Sequence, residues 1–491
     1  MQYVLGNMLN GGGINPDGLS LDLQFAADKT LTARRGPTPV FTRLSGDNGG
    51  TTYFGPLVDF DLLVEIPATG ITNGRASWFK SDEGTDIAVS YTGTRWRVIA
   101  VYDGIEDEYL AAPGSEWRPD QADWSGQGVS VTTSSTFGIV KAANNEPRFD
   151  HDPVTGVCKG LLIEEGRTNL CLRSENFGTT WSTFNSSTSL ISQVAPNGDP
   201  SAYSVVENTG LGAHSVFQSI AFAGTTNYTF SVFVKAGSRN FASLVEQSSG
   251  GAIRRTFFNL ATGEVGTKNA SHTASTQQLP NGWWRLIISF TSGAASNANI
   301  AIELASADNV SSYTGNGSGN IFLWGAQLEA GSFPTSYIPT TTAPLTRSAD
   351  VCNITGGNFN NFYNQSEGTL FSNLSSDSGI VGRAVTAVGS SAAEQVAIGR
   401  DVTRVRSGNV DIGSFYANVP LLEKRVVAYA RDQQAASRLG GVVSSTNAGL
   451  PSGISSLIIG GSIGFTTTVT VSAIRYYKKR LPNAKLAQLT A

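Results

Sequence analysis

Residues 228–235 read YTFSVFVK, with Tyr228, Phe230, Val232 and Val234 on one side of an extended chain and Thr229, Ser231, Phe233 and Lys235 on the other. Side chains of a β-strand alternate between faces, so this stretch is expected to be a strand with a buried face. Leu286, Ile288 and Phe290 repeat the pattern, as do Ile300, Ile302 and Leu304, and Gly/Asn/Ser clusters lie between them. Apolar stripes of period two set between tight turns describe a sandwich or jelly roll rather than a helical or α/β domain. Asn281-Gly282 marks a hairpin turn ahead of Trp283-Trp284-Arg285. Adjacent tryptophans on a strand face opposite ways, so one is expected in the core and the other more exposed.

Composition extends the reading to the whole chain. Charged residues make up 15% of 491, hydrophobic residues 40%, and 55 positions are glycine. So much apolar content with so little charge argues against disorder, and β-branched and aromatic residues between turn-forming clusters suit short strands. The expected fold class is all-β: tandem β-sandwich or jelly-roll domains with a small inserted β module. A formal charge of −4 gives no concentration of Lys and Arg for neutralising phosphates, so nucleic acid is not an expected partner. The first fourteen residues lack the pattern of a secretory leader. No apolar run reaches the roughly 18 residues of a membrane span, so no membrane insertion is expected. Cys158, Cys171 and Cys352 are too few and too scattered for a disulfide framework or a zinc site, and are expected to be buried free thiols.

Six segments are expected along the chain. Residues 1–49 form an N-terminal arm, irregular around Gly11–Gly13 and Asn15–Gly18, with a first strand at Leu21–Phe25. Residues 50–130 form an inserted module holding Trp78, Trp96, Trp117 and Trp124, half of the eight tryptophans. Those rings either build the core of a small module or stack on sugars. A return segment, 131–167, precedes a jelly roll at 168–352. A Gly/Asn-rich linker, 353–367, leads to a final sandwich at 368–491, which ends in a helix with Asn483 as N-cap and Leu486 and Leu489 docking it.

Groupings that would carry chemistry are weak. Gly460-Gly461-Ser462-Ile463-Gly464 fits the pattern G-x-S-x-G, but His151, His214 and His272 all precede Ser462, and the context is β rather than a strand-to-helix elbow. Glu164 and Glu165 are neighbours, which point apart on an extended chain, so pairing with Arg167 or capping a turn is expected instead of glycosidase chemistry. Asp103, Glu106, Asp107 and Glu108 form an acidic loop whose spacing matches no calcium loop. No catalytic residue, metal site or cofactor is expected. No repeat of 20 to 50 residues and no heptad run occurs, which excludes β-helix arrays and a coiled-coil stalk.

Two phrases stand out. RFDHDPVTG…GLLIEEGRTNL runs from Arg148 to Leu170, and WGAQLEAGSFPTSYIPT…TRSAD from Trp324 to Asp350. Together they resemble a bracketing pair in virion proteins of tailed bacteriophages: head spikes, head fibres and tail fibres. The resemblance implies a jelly roll like those of carbohydrate-binding modules between the phrases. The last segment, with VVAYARD and AIRYYKKRLPNAKLAQL, resembles a concanavalin- or laminin-G-like sandwich. What the resemblance implies is a homotrimeric virion surface protein that adheres to host surface polysaccharide and docks on other virion proteins through its N-terminal region. The alternatives are a capsule-degrading glycosidase or esterase, and a capsid decoration protein that binds no glycan. For sugar stacking the candidates are Trp181, Trp283, Trp284, Trp324 and Tyr337. Trp181, in the loop-like FGTTWSTFN, is preferred, because Trp324 and Tyr337 sit in the second phrase and suit a packing role.

Overall fold

The computed structural model describes residues 148–491 apart from 153–157, 376–382, 400–402, 416–421, 448, 464 and 467. Ahead of residue 148 it describes the backbone of nine short strands and the side chain of Leu21. The chain is nearly all β and divides into two compact units, Met1–Ala27 with Gly138–Ala491, and Asp28–Phe137.

Within the first unit, the segment between the two phrases folds as two facing six-stranded sheets. The first sheet runs in the order Ser182–Phe184, His214–Phe222, Ser296–Ala305, Phe241–Glu246, Arg254–Asn259, Val265–Lys268. The second runs Ser186–Leu190, Tyr203–Glu207, Asn320–Ala330, Asn227–Ala236, Trp283–Thr291, Thr273–Gln278. Tyr228, Phe230, Val232 and Val234 share the core with Leu286, Ile288, Ile300, Ile302 and Leu304, so the period-two stripes meet as expected. Each such side chain withdrawn from water contributes about 1.5–3 kcal/mol. The strand Asn227–Ala236 is bonded on both sides, to Trp283–Thr291 and to Asn320–Ala330.

The second sheet is covered on its other face too. Phe233, Trp283 and Trp324 form a cluster there with Ala195 and Ala202, against which Tyr337 packs. On the other face of the first sheet, Ser243, Val245, Phe257 and Glu303 are also buried.

The final sandwich is built from more of the chain than its sequence suggests. One sheet is seven-stranded, with Gln2–Val4 at its edge, parallel to Val351–Thr355. In the other sheet Val469–Tyr477 pairs along one side with both Cys158–Ile163 and Leu19–Gln24. The expected N-terminal arm therefore contributes strands, and Leu21 is 3% exposed in the sandwich core. The expected linker at 353–367 is likewise part of the domain. Val351–Thr355 is a strand and Gly356–Asn360 a helix, and Phe359, Phe362 and Tyr363 are buried in the core. Apolar rings with a core at hand are not left in a tether, whatever the glycine and asparagine content around them. The last helix, Asn483–Thr490, follows Pro482 at its N-cap. Asn483 is its first helical residue and spends its side-chain amide on Ser444 instead of capping, while Leu486 is buried.

In the second unit, five strands pair antiparallel in chain order: Val64–Glu65, Trp78–Asp82, Thr85–Tyr91, Arg95–Tyr102 and Ile105–Pro113. Glu106, Asp107 and Glu108 lie within the last of these strands and not in a loop. Asp103, Trp117 and Trp124 lie outside the described residues, as do the side chains of Trp78 and Trp96.

Candidate functional site

The two phrases, far apart in sequence, come together as scaffold. Glu164 accepts from Arg347 Nη1 at 2.6 Å and from the Ser336 amide at 2.7 Å, and it also pairs with Arg148. Arg148 pairs in turn with Asp350, whose carboxylate accepts from the Glu164 amide at 2.8 Å. Burial alone would raise the Glu164 pKa, but Arg347 and Arg148 hold it below the usual carboxylate range. Glu165 pairs with Arg167, as its position suggested. Asn169 donates to the carbonyls of Ala326 and Ile338 at 3.0 and 2.8 Å and accepts from the amide of Leu328 at 3.1 Å. Glu329 accepts from the amide and hydroxyl of Thr335 at 2.9 and 2.7 Å, folding residues 332–340 back over the second sheet.

Of the five aromatic candidates, Trp181, Trp283 and Trp324 are buried, and Trp284 and Tyr337 are half-buried. Trp181 is 6% exposed; its ring centroid sits 5.0 Å from that of Phe177, and its Nε1 donates to the Leu172 carbonyl at 3.1 Å. The loop-like spelling FGTTWSTFN misled because the indole turns inward to cap the core. Trp283 donates to the Val194 carbonyl at 3.0 Å, and Trp324 lies 4.7 Å from Tyr337 between centroids. Tyr337 shares a 2.6 Å hydrogen bond with Ser174. Trp284 is half-buried on the core side, where Gly263 (φ +76°) sits so close that any Cβ would overlap its ring. Trp283 and Trp284 do face opposite ways, but each finds a packed layer.

Ser462 is 5% exposed in a short hairpin, and Gly460 (φ +77°) packs on Ile163, so the G-x-S-x-G match is a turn. Gly464 lies outside the described residues. A different grouping has the order of a nucleophile and its base: Thr256 Oγ1 is 2.8 Å from His272 Nδ1, and His272 Nε2 is 3.6 Å from Glu246 Oε1. All three side chains are buried inside the jelly roll, and Arg254 stands 3.1 Å from the same carboxylate. A reacting hydroxyl must be reachable by substrate, and this one is shielded. Glu207 is another closed network. Burial would raise its pKa, but bonds from Arg239 (3.0 Å), the Asn316 amide (2.9 Å) and Tyr313 (2.7 Å) bring it down to about 2.

The outward face of the first sheet is only partly open to solvent: Ser215, Ser243, Val245, Phe257, Ala301 and Glu303 are buried there. Val216, Ile220, Leu244, Ile300 and Ile302 point to the core, so Phe217, Ser219, Ser243, Val245, Asn299, Ala301, Glu303 and Arg255 point away. Cross-strand register sets them in rows. Phe184, Ser215, Glu303, Ser243 and Phe257 form one, and Ser182, Phe217, Ala301, Val245 and Arg255 the next. Arg255 reaches diagonally across the intervening strand to Glu303, with Nε to Oε2 at 2.8 Å and Nη2 to Oε1 at 3.3 Å, and Ser243 donates to Oε2 at 3.0 Å. Phe184 is 55% exposed at the end of its row, and Phe217 and Asn299 are half-buried. The Arg255 side chain is partly exposed, and its N–H donors can meet a hydroxyl-rich ligand. Sequence reasoning missed this face because it looked for tryptophan. The signal was present in the alternate positions of HSVFQSIAF and SNANIAIELA.

No family model matches the chain, and neither does any curated protein. Among solved structures, the chain is similar to the CBM22-1–GH10 modules of a Clostridium thermocellum endo-1,4-β-D-xylanase complexed with xylohexaose, at 13% identity and a TM-score of 0.23. The match covers 36% of this chain and 30% of the xylanase, so the chain spans under a third of that protein's length. A Trypanosoma rangeli sialidase matches at 13% identity over 84% of this chain and 61% of the sialidase, with a TM-score of 0.21. The tandem CBM22 domains of a Paenibacillus barcinonensis xylanase match at 8% identity over 64% of this chain and 99% of theirs, with a TM-score of 0.23. Likenesses of this size carry no functional argument.

Proposed function

We propose that this chain is a surface protein of a tailed-phage virion that binds host surface polysaccharide through the outward face of its jelly roll, without cleaving it. The observation that supports the binding is the exposed ring of Phe184 on that face, together with the half-buried Phe217 and the partly exposed Arg255 that pairs with Glu303. The virion setting is supported by the two sequence phrases alone. Their residues build the junction of jelly roll and sandwich, so they speak for a shared scaffold and not for a shared ligand. A homotrimer would multiply weak sites into avidity. The absence of cleavage is supported by the burial of Thr256, His272 and Glu246 and by the hairpin setting of Ser462.

The test is binding of purified protein to bacterial cells before and after stripping their surface polysaccharide, with reducing sugars assayed in the supernatant. Polysaccharide-dependent binding without sugar release supports the reading. Released sugar would make the protein an enzyme, and failure to bind would leave a decoration protein.

A further inference from the structure

We infer that the end of the final sandwich carrying Arg431, Lys478 and Lys479 is a second glycan-binding surface, one that takes acidic, carboxylate-bearing polysaccharide. The choice of polysaccharide among anionic polymers rests on the adhesin reading above, whereas the surface itself rests on charge.

The formal charge of the chain hides an asymmetry. Residues 351–491 hold 13 Lys and Arg against 7 Asp and Glu, although the whole chain stands at −4. Several of these cations are engaged within the domain. Arg425 is buried and donates to the Gly399 carbonyl at 2.6 Å. Arg404 and Arg406 lie 3.5 and 3.1 Å from Asp411. Lys424 donates to the Ala491 carbonyl at 2.8 Å, and the Arg475 guanidinium lies 5.4 Å from the Phe371 ring centroid. Arg431, Lys478 and Lys479 are exposed, and their side chains have no ion pair or hydrogen bond among the described residues.

Register brings these three to one end of a sheet. Glu367 opens the strand Glu367–Ser375 and lies opposite Ala430, so Arg431 sits at the hairpin just beyond. Backbone bonds between Ala430 and Gln433, at 3.1 and 3.2 Å, close that hairpin. On the other side of Glu367–Ser375, the strand Val469–Tyr477 ends at the same level, with Tyr477 opposite Thr369. Lys478 and Lys479 leave the sheet there with their backbone pinned. Asn364 donates to the Lys478 carbonyl at 2.7 Å, Thr369 to the Lys479 carbonyl at 2.8 Å, and the Arg480 amide to Glu367 at 3.0 Å. Arg480 donates to the Leu481 carbonyl and to Asn483, both at 2.6 Å. The two basic stretches flank a single strand, which sets them about 10 Å apart, within about one Debye length at 0.1 M salt. Glu367 and Asp432 are the anions of this end, against the four cations Arg431, Lys478, Lys479 and Arg480.

Exposed charges of one sign raise the local concentration of the opposite sign, and that gain fades with salt. Ammonium and guanidinium groups meet carboxylates through charge-assisted hydrogen bonds, so an acidic polysaccharide chain laid over this end can use both basic stretches together. Single-stranded nucleic acid also draws on aromatic platforms for its bases, and the rings near this end, Tyr363, Tyr429 and Tyr476, are buried and packed on one another.

The experiment is affinity electrophoresis of the intact protein in hyaluronate or polygalacturonate, in neutral β-glucan, and in single-stranded DNA, at low and high salt. The expected result is retardation by the acidic polysaccharides that fades as salt rises. Lys478→Gln combined with Lys479→Gln should weaken it on the order of tenfold at low salt, and Arg431→Gln alone about threefold. Both variants alter exposed side chains and should melt like wild type; if the lysine pair does not, Arg431→Gln decides. Lys159→Gln combined with Lys235→Gln removes the same charge elsewhere and should leave the retardation unchanged. An equal loss in that control, or none in the Lys478, Lys479 and Arg431 variants, would overturn the assignment to this end. Retardation by DNA as strong as by the acidic polysaccharides would overturn the choice of partner. No retardation by any anionic polymer would overturn the inference, with polysaccharide-dependent binding to cells leaving the adhesin reading standing. Loss of both would overturn both.

Discussion

The Glu164 carboxylate meets the Arg347 guanidinium at 2.6 Å across 183 residues of sequence. Each belongs to one of the two phrases that single this chain out, and Arg148, Ser336 and Asp350 complete the same network. The strand that ends just before Glu164 bonds to the final sandwich through Leu161 and Ile163, while Asn169, just beyond, is bonded into the jelly roll. The network therefore ties two separate cores to one short segment. Residues that look like a family signature are here a joint.

Glu164→Ala should cost about 3–5 kcal/mol, because it leaves two arginines buried without their shared anion. Urea unfolding followed by tryptophan fluorescence measures this directly. The jelly roll holds four of the eight tryptophans, Trp181, Trp283, Trp284 and Trp324, so the transition they report should move to lower urea than in wild type. A change under about 1 kcal/mol would mean that the joint is a surface salt bridge in effect.

The period-two stripes were legible because a sheet with one wet face prints its geometry on neighbouring residues. The strands Asn227–Ala236, Trp283–Thr291 and Ser296–Ala305 all follow from their own letters. The pairing of Leu19–Gln24 with Val469–Tyr477 could not be read, because nothing local in either stretch names a partner that distant. The burial of the candidate rings was hidden for a related reason. Trp181 and Phe184 stand in the same short segment, yet the indole is buried and the phenyl is exposed. Which ring turns inward is decided by Phe177 and the Leu172 carbonyl, partners that only the fold supplies.

Trp181→Ala should therefore destabilise the jelly roll by about 3–5 kcal/mol, the range for truncating a buried aromatic. Glycan binding measured well below the lowered Tm should stay close to wild type. Lost binding with an unchanged Tm would return Trp181 to the role of a surface platform.

Stability on the acid side should depend on Glu207. Its pKa falls from 4.5 to about 2 in the fold, so the unfolded chain takes up a proton more readily than the folded one. The stabilisation is fully present above about pH 4.5 and is lost as pH falls toward 2. Glu207→Gln should lower Tm at pH 7 and flatten the slope of Tm against pH between those limits. Parallel curves for variant and wild type would show that the Arg239, Tyr313 and Asn316 contacts do not hold the charge.

Gly263→Ala tests a turn whose spelling, ATGE, gives no hint of its neighbour. The residue sits at φ +76° against Trp284, so alanine meets both left-handed strain and the indole. The strain alone costs on the order of 1 kcal/mol, and displacing the ring adds a loss of packing of similar or larger size. Calorimetry should show a lower Tm, with the loss much reduced in a Trp284→Ala background because the clash is then gone. Equal losses in both backgrounds would assign the whole effect to the backbone.

The N-terminal segment offers the sharpest choice between a free arm and a part of the fold. Leu21 is buried beside Ile474 and Tyr476 in the sandwich core, and its strand covers one edge of Val469–Tyr477. Leu21→Ala should cost about 2–5 kcal/mol, as for other buried leucines. Deleting residues 1–27 should do more, since it bares the backbone of a central strand and opens the core at the same place, and bare edges aggregate. Expressed with and without those residues, the protein should differ in solubility and in the unfolding of the final sandwich. A truncated protein that melts like the full chain would make the segment an appendage free to dock elsewhere. A truncated protein that regains its melting transition on adding a peptide of residues 1–27 would show that the strand is held by pairing and burial alone.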